Sequence, residues 1–228
     1  MTPNKEDYLK CIYEIGEQEP KITNKMVAEK MHVSAPAVSE MIKKMISQGW
    51  IVKDKAKGYL LKDKGYALVA NLYRKHRLIE VFLIHQLGYN TQEVHQEAEV
   101  LEHTVSDTFI DRLDKILDFP DFCPHGGTIP RYGQPLVEMN TTTLNTITEL
   151  GRFRLSRIHD HFDLIQYLEA HHLSINTELT LTQIDTFAKT YTICYGDKEL
   201  VIPENIAKQL YVTALYPLAP PQKEATLI

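Results

Sequence analysis

The sequence predicts a mainly α-helical chain with a little β structure: a winged helix-turn-helix first, a helical middle, and a small mixed α/β domain at the end. Three observations carry this. Two short helical patterns joined by a turn run straight into a lysine-rich hairpin. A long apolar helical pattern starts at Asp63, and strand-like runs such as LTLTQI and YTICYG appear only after the proline- and glycine-rich stretch FPDFCPHGGTIPRYGQP. A length of 228 residues with 43% hydrophobic content suits two or three domains with real cores.

In chain order, Glu6 to Ile15 reads as a helix with Tyr8, Leu9, Ile12, Tyr13 and Ile15 spaced for burial, and Asp7 off that stripe. Thr23 suits an N-cap for ITNKMVAEKM. After a short HVS turn, Ser34 can cap APAVSEMIKKMISQG, where Pro36 fits a first turn that does not use its N–H. Val38, Ile42 and Met45 would pack inward. That leaves Ala35, Pro36, Ala37, Ser39, Glu40, Lys43 and Lys44 on the outer face. Trp50–Val52 and Tyr59–Leu61 read as two strands around a turn carrying Lys53, Lys55 and Lys57. A helix pair followed by a basic hairpin puts one helix in the major groove of double-stranded DNA and lysines on the flanking phosphates. Candidate DNA-binding residues are therefore Thr23, Ser34, Ala35, Pro36, Ala37, Ser39, Glu40, Lys43, Lys44, Lys53, Lys55, Lys57 and Tyr59. The competing use of such a helical hairpin is protein docking.

The long helix runs from Asp63 to a glycine C-cap at Gly88 and is apolar enough to serve a core or a dimer. A further helix is expected over residues 104–117. The proline- and glycine-rich loop that follows marks a domain boundary, giving segments 1–64, 65–140 and 145–215.

The formal net charge of -5 hides an asymmetry. Residues 1–64 hold twelve lysines against nine acids, net +3, and the remainder carries thirteen bases against twenty-one acids, net -8. Seven lysines fall within residues 43–64, a local footprint suited to phosphates, although lysine-rich surface can also be solvated and nothing more. Cys11, Cys123 and Cys194 lie far apart and read as reduced thiols. No apolar run approaches the length of a membrane span, so the expectation is a cytoplasmic chain with no membrane partner.

The stretch VHQEAEVLEHTVSD, residues 94–107, carries the metal chemistry. At about 100° per residue, His95, Glu99, Glu102 and His103 share one arc of a helix, while Val94, Ala98, Leu101 and Val105 line the next. Imidazole with carboxylate suits a divalent transition ion; a solvated polar face is the other reading. His76 and Glu80 repeat the His-x3-Glu spacing of His95 and Glu99 on a second helix, which favours coordination. Cys123 and His125 add a Cys-x-His pair in the loop, either as ligands or as an inert thiol and a surface imidazole.

EDYLKCIY, the winged helix, RKHRLIE and VHQEAEVLEHTVSD, in this order, resemble the diphtheria toxin repressor family of metal-dependent transcriptional repressors, in its manganese-responsive branch. The resemblance covers roughly residues 4–215. TELGRFRLSRIHDHFDLIQYLEAHH, with LVIPENIAKQLYV after it, resembles the family's C-terminal SH3-like, FeoA-type domain, a small β-barrel-type fold. The resemblance implies a homodimer acting on a palindromic operator to control metal homeostasis genes. It also implies an activating site of Asp7, Glu99, Glu102 and His103, with His76 close by. Carboxylates at positions 7 and 99 point to Mn2+, with Fe2+, Zn2+, Co2+ and Cd2+ as alternatives in vitro. Lys10 stands where some manganese-responsive members have a glutamate ligand. A second set is expected at Glu80, Cys123, His125 and Asp160, with His76 and His95 as contenders; of these the resemblance implies Asp160, while Cys123 and His125 match nothing in the shorter family members. An ion shared between Asp7 and the dimer helices would tie their relative orientation and favour the DNA-binding state. Two other classes fit some of these residues: a metal-independent DNA-binding regulator sensing a small ligand, and a metalloenzyme with a glutamate as general base. No catalytic residue is singled out.

Overall fold

The computed structural model describes residues 5–217. Its elements are α1 (Lys5–Gln18), α2 (Asn24–Lys30), α3 (Ala35–Ser47), β1 (Ile51–Asp54), β2 (Gly58–Leu61), α4 (Asp63–Leu87), α5 (Thr91–Leu101), α6 (Asp107–Ile116), a 3-10 turn (Leu144–Thr146), β3 (Gly151–Ile158), α7 (Phe162–Ala170), β4 (Glu178–Asp185), β5 (Thr190–Tyr195), β6 (Lys198–Pro203), α8 (Glu204–Ala207) and β7 (Leu210–Pro217). They form two compact units. One comprises the chain to Tyr89 with Gln96–Asp121 and Thr128–Val137; the other comprises Asn90–His95, Phe122–Gly127 and the chain from Glu138.

The first unit is built around α1. Tyr8, Leu9, Ile12 and Ile15 recur at helical spacing and enter one core with Val27, Val38, Ile42, Met45, Ile51, Tyr59, Val69 and Tyr73. Both predicted caps form: the Met26 N–H donates to Thr23 Oγ1 at 3.3 Å and the Ala37 N–H to Ser34 Oγ at 3.4 Å. The wing pairs β1 with β2 antiparallel, Ile51 opposite Leu61 and Asp54 opposite Gly58. Asp54 Oδ1 accepts from the backbone N–H groups of Ala56 and Lys57 at 2.8 and 2.7 Å, and these two bonds hold its carboxyl below the usual range. Gly58 has φ +80° with the Ile22 carbonyl oxygen 1.8 Å from where a Cβ would stand, so only glycine lets the wing close on Ile22, just before α2.

α4 spans the predicted range and ends at Gly88 in the left-handed conformation. The buried Arg74 on α4 holds α6 through Asp111 at 3.0 Å and Asp114 at 2.9 Å. Two boundaries differ from expectation. α5 stops at Leu101, so Glu102 and His103 lie in the turn after it rather than on its arc, although the Glu102 N–H still reaches the Ala98 carbonyl at 2.9 Å. α6 starts at Asp107, not at 104, because Ser106 caps it by accepting from the Phe109 N–H at 3.2 Å.

The second unit is a five-stranded antiparallel sheet in the order β6-β5-β4-β3-β7. Inward residues of β3, β4 and β5 (Phe153, Leu155, Leu179, Leu181, Tyr191 and Ile193) join Leu164, Ile165 and Leu168 of α7 in its core. β6 and β7 are the outermost strands and do not pair with each other, so the SH3-like sheet is open rather than a closed barrel. The loop of residues 122–127 belongs to this unit. Gly126 has φ +79°, and a Cβ there would stand 2.0 Å from the Ser156 carbonyl oxygen.

Candidate metal centre and nucleic-acid interface

The candidate metal centre lies within the first unit. Asp7 lies in the first turn of α1, Glu102 and His103 in the turn after α5, and their ligand atoms lie within 4.8 Å of one another. His103 Nε2 is 2.7 Å from Asp7 Oδ1 and 3.2 Å from Glu102 Oε1. The apolar stripe of α1 packs into the winged-helix core and leaves its other face for Glu6, Asp7 and Lys10. Ending α5 at Leu101 turns Glu102 inward, so that its side chain is 1% exposed.

Burial pushes the Glu102 carboxyl up, but Lys10, His76 and His103 more than offset this and hold it below the usual glutamate range. Lys10 Nζ is 3.7 Å from Glu102 Oε1, and His76 Nδ1 is 2.6 Å from Glu102 Oε2. His76 also faces Glu80 Oε1 from Nε2 at 3.1 Å, and all three groups are buried. His76 is thus close to the centre, as the sequence implies. Glu99 is exposed on α5 and stands outside the converging trio. One imidazole and two carboxylates, aimed at one another in a partly dry site, are a fitting donor set for a divalent first-row ion.

His95 does not share an arc with Glu102 and His103. It belongs to the second unit, where its Nδ1 lies 2.9 Å from Asp160 Oδ1. His125 Nδ1 lies 3.6 Å from the same oxygen. Cys123 and His125 are both buried, on a tight turn in which the Gly126 N–H donates to the Cys123 carbonyl at 2.9 Å. A surface imidazole is therefore not what His125 is.

The outer face of α3 presents Ala35, Pro36, Ala37, Glu40, Lys43 and Lys44 to solvent, and the wing presents Lys53, Lys55 and Lys57. Lys44 pairs with Glu40 at 2.7 Å. Ser34 is exposed but its hydroxyl caps α3. Three more candidates bond to partners within the protein. Thr23 caps α2. Tyr59 is buried and its hydroxyl donates to Asn24 Oδ1 at 2.5 Å, while Asn24 Nδ2 donates to Ser39 Oγ at 2.8 Å and Ser39 Oγ donates to the Ala35 carbonyl at 3.0 Å. The ring of Tyr59 packs inward because β2 turns that face to the core. This chain of bonds ties the wing to the recognition helix through Asn24. Sequence reasoning missed Asn24, and it missed Glu6, whose Oε2 lies 2.8 Å from His103 Nδ1. The available signal for Glu6 was its place beside Asp7 on the non-apolar face of α1.

Comparison with known proteins finds matches along most of the chain. Residues 1–59 match the iron dependent repressor N-terminal DNA binding domain, residues 62–131 the iron dependent repressor metal binding and dimerisation domain, and residues 142–214 the FeoA domain. The diphtheria toxin repressor of Corynebacterium diphtheriae is 34% identical over 227 residues, covering 94% of this chain and 99% of that protein. A crystal structure of the metal-dependent transcriptional regulator MtsR is 99% identical with a TM-score of 0.86, covering 94% of this chain and 100% of that one. The structure of the manganese regulator SloR is 56% identical with a TM-score of 0.88, over 94% and 100% of the two chains. Domain matches that follow the chain in order, with 34% identity along nearly the whole of both chains, mean that the chain belongs to the diphtheria toxin repressor family of metal-dependent transcriptional repressors.

Proposed function

We propose that this member responds to manganese and, as a cytoplasmic homodimer, binds a palindromic operator on double-stranded DNA, with residues 1–64 reading DNA, 65–140 binding metal and dimerising, and 145–215 forming the SH3-like domain. The observation that carries this reading is the convergence of Asp7, from the first helix of the DNA-binding segment, with Glu102 and His103. Two carboxylates in the trio, with Glu99 as a further carboxylate nearby in sequence, favour a hard ion by ligand type, and the similarity to the manganese regulator SloR points the same way. The ion supplies positive charge that offsets repulsion between Asp7 and Glu102. Asp7 then holds α1 against the turn after α5, and α1 carries the winged helix with it through their shared core. On the DNA side, Ala35–Ala37, Glu40, Lys43 and Lys44 face base edges and backbone, while Lys53, Lys55 and Lys57 meet phosphates.

In the second unit, Asp160 shared by His95 and His125, with Cys123 on the same loop as His125, supports a separate set of ligands better suited to zinc than to manganese, because imidazole and thiolate are softer than carboxylate. The test of the main reading is fluorescence anisotropy on an operator duplex at fixed salt with Mn2+, Fe2+, Zn2+, Co2+, Cd2+ or chelator. Manganese should tighten binding by about 5- to 150-fold, the range of a typical allosteric linkage. Equal affinity with manganese and with chelator would leave the regulator metal-independent.

A further inference from the structure

Glu6 precedes Asp7 in the first turn of α1, and its Oε2 lies 2.8 Å from His103 Nδ1. The other nitrogen of that ring, Nε2, faces Asp7 Oδ1 at 2.7 Å and Glu102 Oε1 at 3.2 Å. Imidazole has two ring nitrogens, and the one that coordinates an ion must be without its proton. The remaining proton then sits on the other nitrogen. A carboxylate accepting from Nδ1–H fixes that tautomer, sets the ring plane and raises the basicity of Nε2.

We propose that Glu6 is a positioning residue for metal binding, holding His103 with Nδ1–H turned to Glu6 and Nε2 turned to Asp7 and Glu102. This rests on the reading that Asp7, Glu102 and His103 hold the activating ion. Consecutive side chains of α1 then serve the ion in different ways, Asp7 by direct coordination and Glu6 through the imidazole. Both belong to the DNA-binding segment, whereas His103 is 97 positions away in sequence. The Glu6 side chain is 44% exposed, so its pair with His103 adds little to stability, and the effect of removing it falls on ion affinity rather than on the fold.

The experiment measures Mn2+ affinity of the full chain by the loss of the free-ion electron paramagnetic resonance signal, for wild type, Glu6→Ala, Glu6→Gln and Asp7→Ala. Thermal melting of each metal-free protein is recorded in parallel. Glu6→Ala should bind Mn2+ about 10- to 100-fold more weakly, the usual effect of removing a carboxylate behind a ligand histidine. Glu6→Gln keeps an oxygen that accepts from Nδ1–H and should recover most of the loss, with melting unchanged in both variants. Wild-type affinity in Glu6→Ala overturns the inference. So do equal losses in Ala and Gln, which would make Glu6 itself a ligand, and so does a lowered melting temperature that accounts for the weaker binding. If Asp7→Ala also binds Mn2+ as wild type does, the site assignment fails instead, an outcome distinct from failure of Glu6 alone.

Discussion

Glu102 and Asp7 face the same imidazole, yet removing their charges should have different consequences because their burial differs. Glu102 is 1% exposed and sits between Lys10 at 3.7 Å, His76 at 2.6 Å and His103 at 3.2 Å. Replacing it with glutamine leaves basic groups in a low-dielectric site without their anion, a change that costs about 3–5 kcal/mol when such pairs are broken. Lys10 is 15% exposed and keeps some hydration, which points to the lower end, about 3 kcal/mol. Asp7 is 30% exposed, and an ion pair of that exposure is worth at most about 1 kcal/mol. With a urea dependence of about 2 kcal/mol per molar, Glu102→Gln should lower the unfolding midpoint of the metal-free protein by about 1.5 M and Asp7→Asn by less than about 0.5 M. Both should lose the manganese response in operator binding. The Glu102 carboxyl is held below its unfolded value, so its contribution is fully present above about pH 5 and fades as the pH falls through the lowered folded value. The difference between wild type and Glu102→Gln should therefore shrink in acid. Equal midpoints for the two variants at neutral pH would refute the burial argument.

Changing Lys53, Lys55 and Lys57 together to alanine should flatten the plot of log affinity against log salt by about 2.7, at about 0.9 for each phosphate no longer neutralised; an unchanged slope removes the wing from the interface. Asn24→Ala cuts the link from Tyr59 to Ser39 and should lower both operator affinity and salt slope, since wing lysines lose register with α3, while Mn2+ affinity stays the same; a loss of affinity with the slope intact would mean that the link does not govern the wing. Cys11 is buried, with its thiol pushed up to about 12, so iodoacetamide at pH 8 should modify it only on unfolding; mass spectrometry finding Cys11 labelled before Cys194 in the native protein would contradict its burial.

The sequence was legible wherever the controlling interactions are local. Thr23 and Ser34 each bond an N–H three residues on, and Gly88 ends α4 by its own backbone conformation, so short-range rules suffice. The wing follows from alternation around a turn. The end of α5 was not legible. No glycine or proline interrupts the pattern after Leu101, and the Glu102 N–H still bonds as in a helix, so the break becomes visible only when Glu102 is seen turned inward beside His76 and Lys10. The burial of Tyr59 was not legible for a related reason. Its hydroxyl suits a DNA face or a buried partner equally well, and the partner, Asn24, lies 35 positions away. Of the metal trio, Glu102 and His103 are adjacent in sequence and Asp7 is far upstream, so composition could nominate them but only the resemblance could bring them together.

If Asp7, Glu102 and His103 hold the ion as proposed, their placement gives a route by which it would govern DNA binding without touching DNA. One face of α1 (Tyr8, Leu9, Ile12 and Ile15) is locked into the core that also holds Val38, Ile42 and Met45 of the recognition helix and Ile51 and Tyr59 of the wing. A close-packed core of this kind transmits displacement rather than absorbing it. The other face of α1 carries Glu6, Asp7 and Lys10 toward His103 and Glu102. Without an ion, Glu6 and Asp7 hold that face through pairs that are partly exposed on the α1 side, and such pairs are weak. On the proposed reading, Asp7, Glu102 and His103 would together hold the ion, and orientations of α1 that satisfy all three would be selected from those the weaker pairs allow. Because the recognition helix and wing are fixed to α1 by apolar packing, selecting its orientation selects theirs. Substitutions in the α1 core, such as Ile12→Ala, should then weaken the link between manganese and DNA while sparing manganese affinity itself, a separation that substitutions among the ligands cannot produce.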